Sequence, residues 1–383
     1  MMNRRSLLLT AAGLTLSPLL GSCQRTNTAA LQIRLLENSI PPQLLQEFQR
    51  RTKPGRIGFL ASEQLMDLFN LLQDWNQPQP ATNSSPFNLP SRSPQPVQVA
   101  DLMTLGDYWL PAAIQQQLIQ PLNLEAVAGW EQMPLQWRQL VQRDSQGQPS
   151  PDGVRWAAPY RWGSLVIAYN IAAFKAFNWL PKAWEDLWRS ELQGHLSLPD
   201  SARSVIGLTL KKLGQSVNLS DLTTVPTLAT ELAALQRQVK FYSSEAYLQP
   251  LLLGDTWAAV GWSTEVLPVI KRDPRIAAVV PTNGTILTSD LWVRPASQTE
   301  PIAPELNRWL EFCWQPDVAT QLSALSLAAS PVIVTSDRTQ LPTAIQANPV
   351  ILPPVEVLER SEFLLPVPSE SYRRFWESMR QMG

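Results

Sequence analysis

Histidine and cysteine are nearly missing from this chain, which has one His and two Cys in 383 residues. His195 would therefore have to serve every His-based metal site and every Ser/His or Cys/His catalytic arrangement, so conventional hydrolase chemistry has little to stand on. It follows a glycine in an expected short strand, 195–198, where a structural or solvent-facing role suits it better. A charge surplus is missing as well. The formal net charge of −1 leaves no basic excess to neutralise phosphates, which sets nucleic-acid binding aside. No P-loop occurs and no G-x-G-x-x-G follows a strand, so nucleotide cofactors have no support. Adjacent acids such as Glu185 and Asp186 point to different faces of a helix and read as solvated charges. No catalytic residue, metal or cofactor is expected.

What is present suits a large globular protein. With 44% hydrophobic and 16% charged residues, a chain of this length can bury a sizeable core and fits two domains better than one. Residues 1–23 read as an export signal: Arg4 and Arg5 precede an apolar stretch, 7–20, that is shorter than the about 20 residues of a membrane-spanning helix. The stretch ends Leu20-Gly21-Ser22-Cys23, which resembles the lipobox of bacterial lipoproteins and implies cleavage before Cys23 and acylation of that residue, a durable membrane anchor. The Arg pair also fits a twin-arginine signal, so the export route is open. Cys313 would then be the last thiol, without a disulfide partner. It shares one face of an expected helix with Ile302, Leu306, Trp309 and Leu310, and belongs to the core rather than to chemistry.

After a polar tether, 24–30, strand and helix alternate: strand 31–36, helix 41–51, strand 56–60, helix 63–75. Such alternation predicts an α/β sheet with helices on its faces. Residues 76–96, rich in Pro, Ser, Asn and Gln, break the pattern as a surface insertion. The alternation then resumes with strand 97–104 and a helix from Asp107. A second lobe is expected from about Pro159, with strands at 165–169, 195–198, 257–262, 276–280 and 286–293. Ser263 is expected to cap the helix after Trp262. The final helices surround Glu305, Val318 and Tyr372.

Fifteen Trp against six Tyr offer large stacking faces, though most buried Trp simply pack. Trp162 and Trp262 stand at strand ends near the expected lobe crossings, where α/β ligand sites form. Around them the sequence resembles a known family. The order and spacing of PYRWGSLVIAYN from Pro159, AWEDLWRSELQGHLSLPDSAR from Ala183, LKKLG from Leu210 and CWQPDVA from Cys313 are similar to those of the bacterial periplasmic spermidine/putrescine-binding proteins.

That resemblance implies an α/β, two-lobe periplasmic binding protein type II fold with a hinge and a central cleft. Residues 31–161 with 288–330 would form the first lobe, and 162–287 with 331–383 the second. It further implies an extracytoplasmic, ligand-capturing and not catalytic receptor of an ABC importer: a periplasmic, lipid-anchored monomer whose partners are a small solute and permease subunits. Tyr108 and Trp262 match family pocket aromatics. The acidic pair that holds ammonium groups falls on Ser201 and Ser204, and a pocket Trp and Asp fall on Leu287 and Ser289. Replacement acids lie close by at Glu37, Asp107 and Asp290, with an N-cap the competing role for Asp107. Arg161, beside Trp162, would favour an anionic or zwitterionic ligand if it faced the cleft. A polyamine, an anionic solute and a sensor that has lost transport thus remain three readings.

Overall fold

The computed structural model of the protein describes residues 31–52, 57–77 and 98–381. The expected leader with Cys23, the tether and all of the insertion beyond Gln77 lie outside these residues.

Local sequence accounts for the first elements. Leu31–Leu36 alternates buried and half-buried residues along its whole length, the period-two signature of a strand. Pro42–Arg51 follows with Pro41 at its N-cap and Leu44 and Phe48 buried; a proline at a helix start loses no bond, because that N–H has no intrahelical partner anyway. Ile57–Ser62 and Leu102–Gly106 then pair parallel with the first strand on either side.

One continuous mixed sheet runs through the molecule. Its order is Ile57–Ser62, Leu31–Leu36, Leu102–Gly106, Ile286–Pro295, Ala158–Asn170, Ala258–Trp262, Leu196–Leu198 and Val239–Tyr242. Two strands join its halves. In Ala158–Asn170, the residues up to Ser164 pair antiparallel with Leu287 to Trp292, whereas Leu165 to Tyr169 pair with Trp262 to Ala258. The strand therefore changes partner between Ser164 and Leu165.

Helix Ser263–Arg272 begins against this point. Ser263 does not cap that helix, whose N-cap is Trp262; its hydroxyl instead accepts from the Ser164 N–H at 3.0 Å. A donor at the partner change thereby finds an acceptor that the sheet ladder does not supply. The approach is close enough that a Cβ on Gly163 would stand 2.8 Å from both Ser263 Oγ and Thr264 Cγ2, so glycine fits here and larger residues would push the helix away.

Buried side chains form two cores. The smaller one gathers Leu165, Ile167, Phe174, Trp184, Ile206, Val260 and, from the last helix, Tyr372 and Met379. The larger one fills the first half and continues over the opposite face of the second half through Val166, Ala168 and Ala259. Ile333, Ile345, Ile351 and Phe363 belong to the larger core. Residues 331–363 thus contribute to the larger core, and the last helix contributes to the smaller one.

The tryptophans are mostly structural. Trp137, Trp162, Trp184, Trp292 and Trp309 are all but fully buried, and Trp309 meets Phe48 edge-on at 4.9 Å and Trp292 at 5.7 Å. Cys313 lies on the same helix, Pro304–Trp314, fully buried, where burial pushes its thiol pKa up. Ile302 precedes that helix and is exposed rather than sharing its face. His195 immediately precedes its strand and stacks on Trp257 at 3.6 Å. No helix among the described residues is long and apolar enough to cross a membrane.

Candidate functional site

Four of the expected ligand residues meet in one buried polar cluster where strand Leu102–Gly106 ends beside the two crossing strands. Arg161 and Asp290 face each other in register on the two crossing strands. The guanidinium donates from Nε and Nη2 to Asp290 Oδ2 at 2.6 and 2.5 Å, and both side chains are about nine-tenths buried. The pairing depends on a bulge: Asp290 opposes Arg161 while Leu291 opposes Pro159, so Tyr160 is the extra residue, a device that re-aims neighbouring side chains. Arg161 and Asp290 are therefore spent on one another.

Asp107 is the first residue of a short 3-10 turn, Asp107–Trp109, and does not cap it. Its Oδ1 accepts from Thr288 Oγ1 at 2.8 Å and from the Ser289 N–H at 3.0 Å, which ties the turn to the crossing strand. Ser289 is fully buried and donates its hydroxyl to the Arg161 carbonyl. Leu287 is buried too. Trp162 points its ring into the larger core, edge-on to Trp137 at 5.3 Å and 2% exposed, while its backbone N–H donates to the Ala329 carbonyl.

Burial pushes Asp107 up to about 6; its two hydrogen bonds and Arg143 oppose that shift, and Asp290 adds to it. Between the ordinary aspartate value of about 3.9 and about 6, the folded state holds a proton that the unfolded chain has released. Stability contributed at this site is consequently lost as pH rises from about 4 to about 6, and stays lower above that. Asp107→Asn keeps an acceptor for both bonds. It should raise stability at pH 7 by about 1–3 kcal/mol and leave it little changed at pH 4, as urea unfolding at the two pH values would show. Equal effects at both values would count against this account.

On the other half, Ser201 is the N-cap of helix Ala202–Lys212, accepting from the Ser204 N–H at 3.3 Å and from the Ser204 hydroxyl at 3.0 Å. The hydroxyls at these two positions satisfy a helix start. Ser201→Ala should cost about 1 kcal/mol of stability, and a thermal unfolding curve superimposable on the parent would show that the hydroxyl does not cap.

Three expected residues stay accessible. Glu37 is exposed at the end of the first strand. Tyr108 is 62% exposed, its ring edge-on to Trp109, which in turn stacks on Phe69 at 4.4 Å. Trp262 is half-buried at the end of its strand.

Beside Trp262 stands a carboxylate that sequence reasoning missed. Glu265 lies in the first turn of Ser263–Arg272 and is exposed. It accepts a hydrogen bond from the Tyr247 hydroxyl, which in turn accepts from the Trp262 backbone N–H at 3.3 Å. Tyr247 is seated by Gly261: its ring carbon Cε2 lies 2.3 Å from where a glycine Cβ would be. The surrounding protein raises the Glu265 pKa, and the tyrosine bond partly offsets this. No Lys or Arg pairs with it among the described residues. The signal was local: Trp262-Ser263-Thr264-Glu265 carries the acid one helical turn from the aromatic ring.

A cavity of about 650 Å³ opens between Tyr108 and Trp109 on one half and Arg203, Tyr372 and Trp376 on the other. Among the expected ligand residues only Tyr108 lines it. Within the described residues no group of three or more His, Cys, Asp or Glu is placed to hold a metal ion.

Comparison with known proteins gives a consistent picture. A family model described as bacterial extracellular solute-binding protein matches residues 98–354. The spermidine/putrescine-binding periplasmic protein of Escherichia coli is 24% identical over 285 residues, which cover 73% of this chain and 77% of that protein. The putrescine-binding periplasmic protein of the same organism is 23% identical over 278 residues, covering 67% and 71%. Among solved structures, the spermidine/putrescine ABC transporter substrate-binding protein of Streptococcus pneumoniae superposes with a TM-score of 0.74 at 20% identity, over 93% of this chain and 98% of that one.

Proposed function

The chain belongs to the bacterial extracellular solute-binding protein family, and from that premise we propose that it is the receptor of an ABC importer, capturing a small organic cation of the putrescine or spermidine class between its two halves. The observation that carries the cationic reading is Glu265, an exposed carboxylate without a basic partner among the described residues, in the helical turn that follows Trp262 and joined to the Trp262 backbone N–H through the Tyr247 hydroxyl. An ammonium group would gain a charge-assisted bond from Glu265 and a cation–π face from the Trp262 ring. Glu37, exposed at the end of the first strand, is a further candidate ligand residue in this reading.

Closure is assigned to the point where Ala158–Asn170 changes partner between Ser164 and Leu165. Few backbone bonds need to break there, so the halves can swing with little rearrangement inside either. The closed form would be read by the permease, and no bond of the solute is made or broken. Anchoring by acylated Cys23, a monomeric state and a periplasmic location complete the proposal; they rest on the Leu20-Gly21-Ser22-Cys23 sequence and on the location given for the relatives. The Arg161–Asp290 pair weighs against the anionic alternative.

Calorimetric titration with putrescine and with spermidine tests the reading. Saturable binding of either, with thermal stabilisation approaching about 2.7 kcal/mol at a hundredfold excess over Kd, is the expected result. Absence of heat and of any shift with both would overturn the amine assignment.

A further inference from the structure

The cavity between Tyr108 and the C-terminal helix does not share the chemistry of Glu265. Neither Trp262 nor Glu265 lines it, and no Asp or Glu does. Its walls are aromatic on both sides, Tyr108 and Trp109 from the first half, Tyr372 and Trp376 from the second, with Leu364 and Pro366 between.

The charged groups at its edge are cationic and held in place. Arg203 donates to the carbonyls of Val217 and Leu365 at 3.2 and 3.1 Å and to Asn218 Oδ1 at 3.0 Å, and its guanidinium lies 4.4 Å from the Tyr372 ring centroid. Tyr372 is fixed from the far side by bonds from its hydroxyl to the Val217 and Leu219 carbonyls. Arg373 is occupied by Glu370 and Glu377. A solute ammonium placed here would meet the Arg203 guanidinium and no carboxylate among the lining residues, an unpaired charge with a large desolvation cost. Sugar hydroxyls would find few partners. Flat apolar rings would find stacking faces on both sides, and the volume lies within the usual range of small-molecule sites.

We propose that this cavity is a second ligand site, for a planar aromatic solute carrying no positive charge, gripped between Tyr108 of one half and Tyr372 and Trp376 of the other. It rests on the two-half architecture and goes beyond the amine reading. Because its walls come from opposite halves, occupancy favours the arrangement in which they approach.

Three probes that share one ring separate the charges: indole, indole-3-acetate and tryptamine, each titrated into the full chain by calorimetry with saturation-transfer NMR as a second readout. Indole and indole-3-acetate are expected to bind, with tryptamine at least tenfold weaker. Ala112→Phe, which fills the cavity from the first half, and Trp376→Ala, which removes a wall, should each weaken indole-3-acetate at least tenfold. The Ala112→Phe protein should keep its putrescine response. Equal binding of tryptamine, no binding of any probe, or full indole-3-acetate affinity in a folded Ala112→Phe protein would overturn the proposal. Failure of putrescine to bind the parent protein, with the indoles still bound, would remove the amine reading and leave this one standing.

Discussion

Glu265→Gln is expected to weaken putrescine binding by roughly 30- to 1,000-fold, equivalent to about 2–4 kcal/mol, because one ammonium group loses its only charge partner on that wall of the cleft. The amide is nearly the same shape and can still accept from the Tyr247 hydroxyl, so folding should be little affected. Calorimetry on the parent and variant proteins checks the loss, with Glu265→Asp expected to retain part of the affinity. The raised pKa of Glu265 adds a pH signature. Binding needs the ionised carboxylate, so affinity in the parent should start to fall, on acidification, at a higher pH than an ordinary glutamate would give, and this dependence should vanish in Glu265→Gln. A variant that binds putrescine as tightly as the parent would move the ammonium site elsewhere, with Glu37 the next residue to test.

Arg161→Met should destabilise the protein by about 3–5 kcal/mol, since it leaves the Asp290 carboxylate buried without its partner. The double change Arg161→Met with Asp290→Leu should recover most of that loss, because a buried ion pair contributes little over apolar groups of similar volume. Urea unfolding of the parent, the single variants and the double variant closes the cycle. A loss below about 1 kcal/mol for Arg161→Met would mean that water reaches Asp290, and that the pair faces the cleft after all. The distinction bears on function, because a cleft-facing Arg161 would revive the anionic ligand.

The secondary structure could be read well where burial is periodic along the chain itself. Leu31–Leu36, Pro42–Arg51 and Ala258–Trp262 appear close to where alternation and helix-start chemistry put them. Readings that required a partner distant in sequence fared worse. Asp107 sits where an N-cap is common, yet its carboxylate bonds to residues 181 and 182 positions away. The sequence reading puts Trp162 at a strand end, but Ala158–Asn170 runs on as one strand through the crossing and the ring goes to the core. Ser263 has the right side chain for a cap and spends it on Ser164 instead.

The ligand side shows the same limit. Glu265 was within reach of sequence reasoning, one turn after Trp262. Its importance depends on Tyr247 arriving from an adjoining segment against Gly261, and no local pattern announces that arrival. The cavity beside Tyr108 was out of reach altogether, since Arg203, Tyr372 and Trp376 come to it from separate stretches of the chain.

Local order, the alternation of strands and helices and the family motifs were enough, from the sequence by itself, to determine the fold class and a solute-binding role. Only the tertiary structure decided which charges are free. Periodicity reflects burial one residue at a time, whereas an ion pair such as Arg161 with Asp290 joins positions 129 apart; whether a carboxylate waits for a ligand or is already satisfied depends on what the fold sets against it.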